Sequence, residues 1–384
     1  MKVLKFGGTS VGSAERMKAL PKLIVDDQPK IVVLSAMSGT TNTLVEIASL
    51  LKCGKAPEAL AVIDNLSQKY TEVIAQLFGT AQYKSLAEEK IGAVFALLGN
   101  MTDEAVFTPV HERTVLAQGE MMSTTLQNLY LNEIGVKSVL LPALNFMRKD
   151  MLDEPDLYFI SEILKRELAQ YADCQLFITQ GYICRNHKGE IDNLKRGGSD
   201  YTASIIGAAI GAEEVQIWTD IDGFHNNDPR VVRNTHPIAR LSFDEASELA
   251  YFGAKILHPT CVVPVHEANI PLIIKNTMNP EAAGTRISST TDGEGIIKAV
   301  AAKDNITAVK IKSGRMLLAY GFLRKIFDVF EEYQTAIDMV STSEVAVSLT
   351  IDDATHLQKI VAVLQNFGTV EVDCNMTIVS VAAR

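Results

Sequence analysis

The sequence predicts an α/β fold with a largely parallel sheet, followed by a smaller α+β unit. Three observations predict it. Short β-rich runs alternate with helical patterns from the first residue, the mark of strand–loop–helix units. A polar, turn-rich run at Ser288–Gly295 then interrupts the alternation and suits a linker. Beyond it the rhythm becomes strand–helix–strand–strand–helix–strand, a ferredoxin-like split βαβ unit.

Each element follows in order. Lys2–Phe6 reads as a strand, Gly7-Gly8-Thr9-Ser10 as a turn, and Ala14 to Val25 as a helix. The apolar run Ile31-Val32-Val33-Leu34 makes Lys30–Ser35 a buried strand, and the small residues of Ala36–Asn42 form a loop after it. Strand signal is weak from Asn42 to Glu133, so several helices are expected there, one of them over His111–Asn132. Strands resume at Ser138–Leu141, Gln175–Thr179, Glu214–Thr219 and Leu272–Lys275, with a hairpin turn at Asn186–Gly189. In the smaller unit the expected strands are Ala308–Lys312, Ala336–Val340, Val345–Ile351, Val370–Asp373 and Thr377–Ala382. The expected helices are Tyr320–Tyr333 and Asp353–Asn366.

Composition excludes several classes. A chain of 384 residues implies two or three domains, at roughly 100–200 residues each. With 47% hydrophobic residues it can build a core, which argues against disorder. A formal net charge of -10 repels phosphate backbones, so duplex nucleic acid is not the expected partner. Any bound anion must be caught by a local basic cluster. The five cysteines are scattered and none has CxxC spacing, so neither a zinc site nor a disulfide framework is indicated. Met1–Phe6 carries charge inside its only apolar stretch, unlike a signal peptide. The bland run Ala203–Ala212 is shorter than the roughly 20 residues of a membrane helix. A cytoplasmic enzyme with no membrane partner is the expectation.

Five segments can carry chemistry. Lys5-Phe6-Gly7-Gly8-Thr9-Ser10 ends the first strand, where open α/β sheets bind ligands. Its glycines let a phosphate approach the backbone, and Lys5 can reach a β/γ-phosphate; the bland alternative is a tight turn with a solvated lysine. Lys195-Arg196-Gly197-Gly198-Ser199-Asp200 precedes a helical run, with Ser199 as the expected N-cap. Arg196 can fork onto a substrate carboxylate. In Trp218-Thr219-Asp220-Ile221-Asp222-Gly223, leading to Asp228-Pro229-Arg230, Asp220 can orient a ribose hydroxyl or a magnesium-bound water and Arg230 a phosphate. A plain surface loop competes evenly. Glu120, between Gly119 and a small-residue face, suits burial, and a buried carboxylate needs a cation such as a substrate ammonium. Lys255 can touch a nucleotide phosphate, whereas His258 before Pro259 reads as a packed histidine.

Together these stretches resemble aspartate kinase, a member of the amino acid kinase family. The matching blocks are KFGGTSVGS at Lys5, VVLSAMSGTTN at Val32, QGEMMST at Gln118, KRGGSDYTA at Lys195, WTDIDGFHNNDPRVV at Trp218 and LSFDEASELAYFGAKILHP at Leu241. In the smaller unit, SGRMLLAYGFL at Ser313 and STSEVAVSLT at Ser341 match. The blocks keep the family's order across essentially the whole chain.

The resemblance implies an open αβα kinase domain at residues 1–290 and an ACT regulatory domain at 296–384. It implies phosphoryl transfer from ATP, with Mg2+ carried on the nucleotide, to the β-carboxylate of L-aspartate. By the same resemblance Lys5, Gly7 and Gly8 stabilise the moving phosphoryl, and Asp200 organises the magnesium or the reacting groups. Glu120 holds the ammonium and Arg196 the α-carboxylate, while Ser35, Thr41 and Ser199 add hydrogen bonds. Thr219, Asp220, Arg230 and Lys255 line the ATP site. Two departures stand out: Lys195 replaces a usual glycine, and His225 stands where a tyrosine commonly lies near the adenine.

The family commonly has two ACT modules, and by that resemblance the second is expected to be incomplete in the sequence up to Arg384. ACT units usually pair, so a homodimer or higher homo-oligomer through Ala308–Ile351 is expected. An effector at that seam would meet Met316, Ala319, Gly321 and Phe322 at a helix start and Asp338, Ser343 and Glu344 on the facing strands; the two acids favour L-lysine over L-threonine. Competing readings are a relative acting on glutamate or N-acetylglutamate, a pyrimidine nucleotide kinase of the same fold, and a non-catalytic amino-acid sensor.

Overall fold

The computed structural model describes all residues except 195–196, 230, 254–255, 290–296, 315–319 and 384. The chain divides into two units: Met1–Tyr251 with Lys255–Gly295, and Ile296–Arg384 with Phe252–Ala254.

The first unit is built on an eight-stranded sheet. Its strands are β1 (Lys2–Phe6), β2 (Lys30–Leu34), β3 (Val139–Leu141), β4 (Leu176–Gln180), β7 (Val215–Thr219), β8 (Arg240–Ser242), β9 (Leu272–Asn276) and β10 (Thr285–Ser288). β5 (Ile183–Arg185) and β6 (Ile191–Asn193) form a separate hairpin around the expected Asn186–Gly189 turn. The sheet order is β3-β4-β2-β1-β7-β9-β10-β8. The first six strands in that order are parallel, and β10 runs antiparallel to β9. The centre of the sheet is covered on both faces, which is why every residue of β2 and β4 is buried.

Four long helices, Thr40–Lys52, Ala56–Leu77, Ala81–Asn100 and Pro109–Glu133, cover the stretch where strand signal was weak. Ala59, Ile63, Leu66, Tyr70, Val73, Ile74 and Leu77 recur at three- and four-residue spacing along the second of them. That stripe joins Leu4, Phe6, Val32, Leu34 and Ile178 of the sheet in one core. Each fully buried large side chain contributes about 1.5–3 kcal/mol. Phe6 stacks on Trp218 with ring centroids 5.5 Å apart, fixing the β1–β7 junction next to the glycine turn.

Some elements differ from expectation. The single helix over Ala14–Val25 is two, Ala14–Ala19 and Pro21–Ile24, because Pro21 has no N–H to continue the first. β8 and β10 are too short to leave a pattern and exist through their pairing with each other and with β9.

The smaller unit is a four-stranded antiparallel sheet of β11 (Ile297–Lys312), β12 (Met339–Thr342), β13 (Ala346–Ile351) and β14 (Thr369–Ala383), in the order β12-β13-β11-β14. The helices Phe322–Glu332 and Leu357–Leu364 bury Ile326, Val329, Phe330, Ile360 and Leu364 in a core with Val309, Val347 and Leu349. This is the expected βαββαβ order. Two strands expected at Val370–Asp373 and Thr377–Ala382 are one, β14. The register shifts between Lys303 and Ala308 of β11, and Asn305 (φ 61°) and Asn375 (φ 57°) take left-handed backbone there.

Candidate active site

The C-terminal ends of β1, β2, β4 and β7 bring the chemistry-bearing loops together, as expected of an open α/β sheet. β1 runs into Gly7 and Gly8. A Cβ on Gly7 would lie 3.6 Å from Lys5 Nζ, so the Lys5 ammonium folds back over its own turn. There it meets Asp200, with Nζ 2.6 Å from Oδ1 and both side chains mostly buried. The pair is off the line of a hydrogen bond, so the contact is Coulombic.

Asp200 sits in the first turn of the Gly198–Ile210 helix, where a carboxylate is favoured by the dipole. Ser199 is not the N-cap that the sequence suggested. Gly197, in left-handed backbone at φ 74°, starts the helix two residues earlier with no side-chain cap. Ser199 instead packs against Gly181 just after β4, where a Cβ would come 2.5 Å from its Oγ.

Glu120 lies mid-way along the Pro109–Glu133 helix and is 4% exposed. Its placement depends on Gly119, since a Cβ there would be 2.7 Å from Ala36 Cβ. Without one, the helix closes on the loop after β2, and Ala36 N–H donates to Glu120 Oε1 at 3.1 Å. Burial pushes the Glu120 carboxyl up to about 7, opposed by backbone hydrogen bonds and by the nearby charge of Lys5. Burial, with a smaller contribution from the Glu120 charge, pushes the Tyr182 hydroxyl up to about 12.

A cavity of about 380 Å³ opens along the glycine turn after β1 and the loop after β2; Lys5, Glu120, Ser199, Asp200 and Thr219 are not among its lining residues. It is lined by Gly8, Thr9, the Ser35–Gly39 loop, Thr41, Asn42 and Asp220. Ser35, Thr41 and Asp220, chosen from sequence, are therefore brought together with Gly8. Thr9 belongs to the expected glycine turn, whereas Ala36, Met37, Ser38, Gly39 and Asn42 were missed as individual residues, although the small-residue loop that carries them was visible. Ser123 supports it from the helix below, donating to Ser35 O at 2.8 Å.

Thr219 Oγ1 donates to Asp220 Oδ1 at 3.2 Å. His225 hydrogen-bonds Thr235 Oγ1 at 2.9 Å through Nδ1 and does not line the cavity. His258 caps the turn Pro259–Cys261, bonding Thr260, as a packed histidine would. Arg196, Arg230, Lys255, Met316 and Ala319 lie outside the described residues, as does Lys195.

In the smaller unit, Gly321 precedes the Phe322–Glu332 helix at φ 77°, and Phe322 is buried in the core. Asp338 is 3.1 Å from Lys303, which also pairs with Asp352 at 3.0 Å. Ser343 closes the β12–β13 turn, its N–H donating to Ala346 O at 2.8 Å, and Glu344 beside it is exposed. Among the described residues no helix is long and apolar enough to cross a membrane.

A family model described as the amino acid kinase family matches residues 1–276. The chain belongs to the amino acid kinase family. Within the family it aligns with aspartokinases. Aspartokinase 1 of Arabidopsis thaliana is 36% identical over 91% of this chain and 63% of its own length. Lysine-sensitive aspartokinase 3 of Escherichia coli is 34% identical over 91% of this chain and 78% of its own. The crystal structure of E. coli aspartokinase III in complex with aspartate and ADP superposes with a TM-score of 0.83 at 32% identity, covering 99% of this chain and 87% of that one. The chain spans just under two thirds of the length of the Arabidopsis relatives it matches.

Proposed function

We propose that this chain transfers the γ-phosphoryl group of ATP to the β-carboxylate of L-aspartate, giving 4-phospho-L-aspartate and ADP. The observation that carries the reading is Glu120, a buried carboxylate that feels the charge of Lys5 and is tied through the Ala36 N–H to the loop lining the cavity. A buried carboxylate at about 7 is half protonated near neutrality and is stabilised as the anion by an incoming ammonium. L-Aspartate brings that ammonium; an N-acylated amino acid does not.

The chemistry asks for no enzyme nucleophile. An aspartate carboxylate, with a reference pKa near 3.9, is already ionised at neutral pH. The difficulty is bringing it to an anionic phosphoryl group, so the enzyme's work is positioning and charge neutralisation. Lys5 and the Gly7–Gly8 amides face the moving charge. Asp200 holds Lys5 in place, and Ser35, Thr41 and Ser199 hydrogen-bond the substrates. Arg196 takes the α-carboxylate. Thr219, Asp220, Arg230 and Lys255 serve the nucleotide, with His225 near its base. Among the described residues no cluster of three acidic, His or Cys side chains could hold a metal alone, so Mg2+ would arrive on the nucleotide phosphates, with the Asp220 carboxylate and the Thr9 hydroxyl offering hard oxygens to it and its waters. When bound, MgATP supplies the transferring group with part of its charge already offset.

The first unit, residues 1–290, is on this reading catalytic, and residues 296–384 are regulatory. The lysine sensitivity named for the E. coli relative supports L-lysine as effector. Because Asp338 is already paired with Lys303, recognition of a cationic effector falls mainly to Glu344 and the Gly321 helix start. The exposed edge strand β12 suits pairing with a second copy. Five free thiols, three of them buried, suit a reducing compartment such as the cytoplasm.

The test is ADP release with a panel of acceptors. L-Aspartate with a divalent metal is expected to be the productive substrate. Equal turnover with L-glutamate, or with N-acetylglutamate alone, contradicts the assignment.

A further inference from the structure

Two consecutive residues of the Ala56–Leu77 helix hold the turn that forms one wall of the cavity. Tyr70, fully buried, shares a hydrogen bond with Thr40 Oγ1 at 3.1 Å. Lys69, half-buried, donates from Nζ to Ser38 O at 2.9 Å. The first contact joins two neutral hydroxyls and acts as a tether. The second sets a full positive charge on a backbone carbonyl, and among the described residues Lys69 makes no ion pair with a carboxylate.

That carbonyl shares its peptide with the N–H of Gly39. The bond is trans, so holding the carbonyl on Lys69 aims the Gly39 N–H away from the lysine. Drawing electron density toward the ammonium also makes that N–H a stronger donor. No acceptor among the described residues takes it. Ser38 and Gly39 line the cavity, and the uncapped start of the Thr40–Lys52 helix follows at once. The ammonium lies close to Gly39 as well, 3.7 Å from where a Cβ would stand. The same loop reaches Glu120 through Ala36, which puts Lys69 on the amino-acid side of the cavity.

We propose that Lys69 is a positioning residue of the acceptor subsite. Bound to the Ser38 carbonyl, it fixes and polarises the Ser38–Gly39 peptide and adds positive potential behind it, against the negative charge of the acceptor carboxylate. The inference rests on the amino acid kinase reading above and extends it to a residue that touches neither substrate.

Steady-state kinetics and calorimetric binding of L-aspartate to the full chain test it, using wild type, K69M, K69R and K69Q at low and high salt. K69M is expected to raise the KM and Kd for aspartate roughly 10-fold, the scale of a hydrogen bond to a charged group. The ATP KM should stay within about twofold, because the loss is in ground-state binding of one substrate. K69R should restore most of the affinity. K69Q, able to donate but neutral, should resemble K69M. The K69M defect should shrink in ~1 M salt, where the screening length is about 3 Å. An unchanged aspartate KM in K69M, wild-type behaviour in K69Q, or a salt-independent defect would overturn the proposal. A wild-type chain that binds aspartate but releases no ADP fails the functional reading alone, since the binding contrast still decides the role of Lys69. A chain that does not bind aspartate overturns both.

Discussion

The two ends of the large sheet treat charge in opposite ways. At the N-terminal ends of its parallel strands, charges are paired with one another, each pair with at least one partly exposed partner. The N-terminal ammonium meets Glu213 at 2.7 Å, Lys2 meets Glu214 at 3.1 Å, and Lys30 meets Asp26. Glu213 and Asp26 are well exposed, and both carboxyls are held below their ordinary range by these cations. A cleft of about 220 Å³ at that end, between Ile24, Val25, Val136 and Leu176, contains no glycine loop. At the C-terminal ends, Lys5 and Asp200 are mostly buried and Glu120 fully so, and the Glu120 carboxyl is pushed above its ordinary range rather than below it. The first arrangement is complete in itself. The second retains an unfavourable carboxylate that a ligand's ammonium would stabilise, and on the proposed reading this contrast separates the end that folds from the end that binds.

The largest effect expected from breaking the contrast is at Lys5. Lys5→Ala should lower kcat by roughly 10²–10³, the cost of losing one preorganised group at a site of developing charge. The aspartate KM should change far less. Glu120→Ala should do the reverse, raising the aspartate KM roughly 10- to 100-fold with kcat mostly retained, because an ammonium contact is similar in ground and transition states. The opposite pattern in the two mutants would exchange their roles.

The pH dependence sharpens the same point. Glu120 must be ionised to hold an ammonium, so the aspartate KM should fall as pH rises through about 7 and level off above it. Glu120→Gln should flatten that profile. For the ligand-free chain the sign runs the other way. Its folded-state pKa is raised from 4.5, so the folded state binds more protons than the unfolded state between 4.5 and 7. Stability should therefore fall across that window, by about 3 kcal/mol at most, and Glu120→Gln should remove this contribution. Thermal melts at intervals from pH 4.5 to 7.5 would read it.

A smaller effect is expected from Gly119→Ala. The added methyl meets Ala36 Cβ, so the helix must retreat from the loop that Glu120 grips. The cost should be about 1–3 kcal/mol of stability with a raised aspartate KM. The smallest effect lies at the other end of the sheet. Lys2→Met should change stability by no more than about 1 kcal/mol and leave kinetics unaltered, as for a partly exposed ion pair.

Much of this was legible in the sequence because local chemistry and tertiary placement agree. The apolar run of β2, the glycine turn after β1 and the alternation of elements each stand on a few adjacent residues. Glu120 was legible through its neighbours, since only a glycine at 119 allows the approach that buries it. Other features depend on partners distant in sequence. β8 and β10 are held by sheet pairing rather than by pattern. The start of β11, with Lys303, Asp304 and Asn305 in its middle, lacks strand propensity and is extended by β14. Ser199 is a good cap by residue type, yet the left-handed backbone of Gly197 takes the start of the helix. Lys69 left no signal at all, because a lysine on a helix face looks solvated until the loop it binds is in place.

The most direct test of the central claim is to identify the product. An acyl phosphate is attacked by hydroxylamine at the acyl carbon, releasing phosphate and leaving a hydroxamate that marks the carboxylate that was phosphorylated. With L-aspartate, MgATP and hydroxylamine, aspartate β-hydroxamate is expected in amounts matching the ADP formed. ADP release without any hydroxamate, or a hydroxamate on the α-carboxylate, would contradict it.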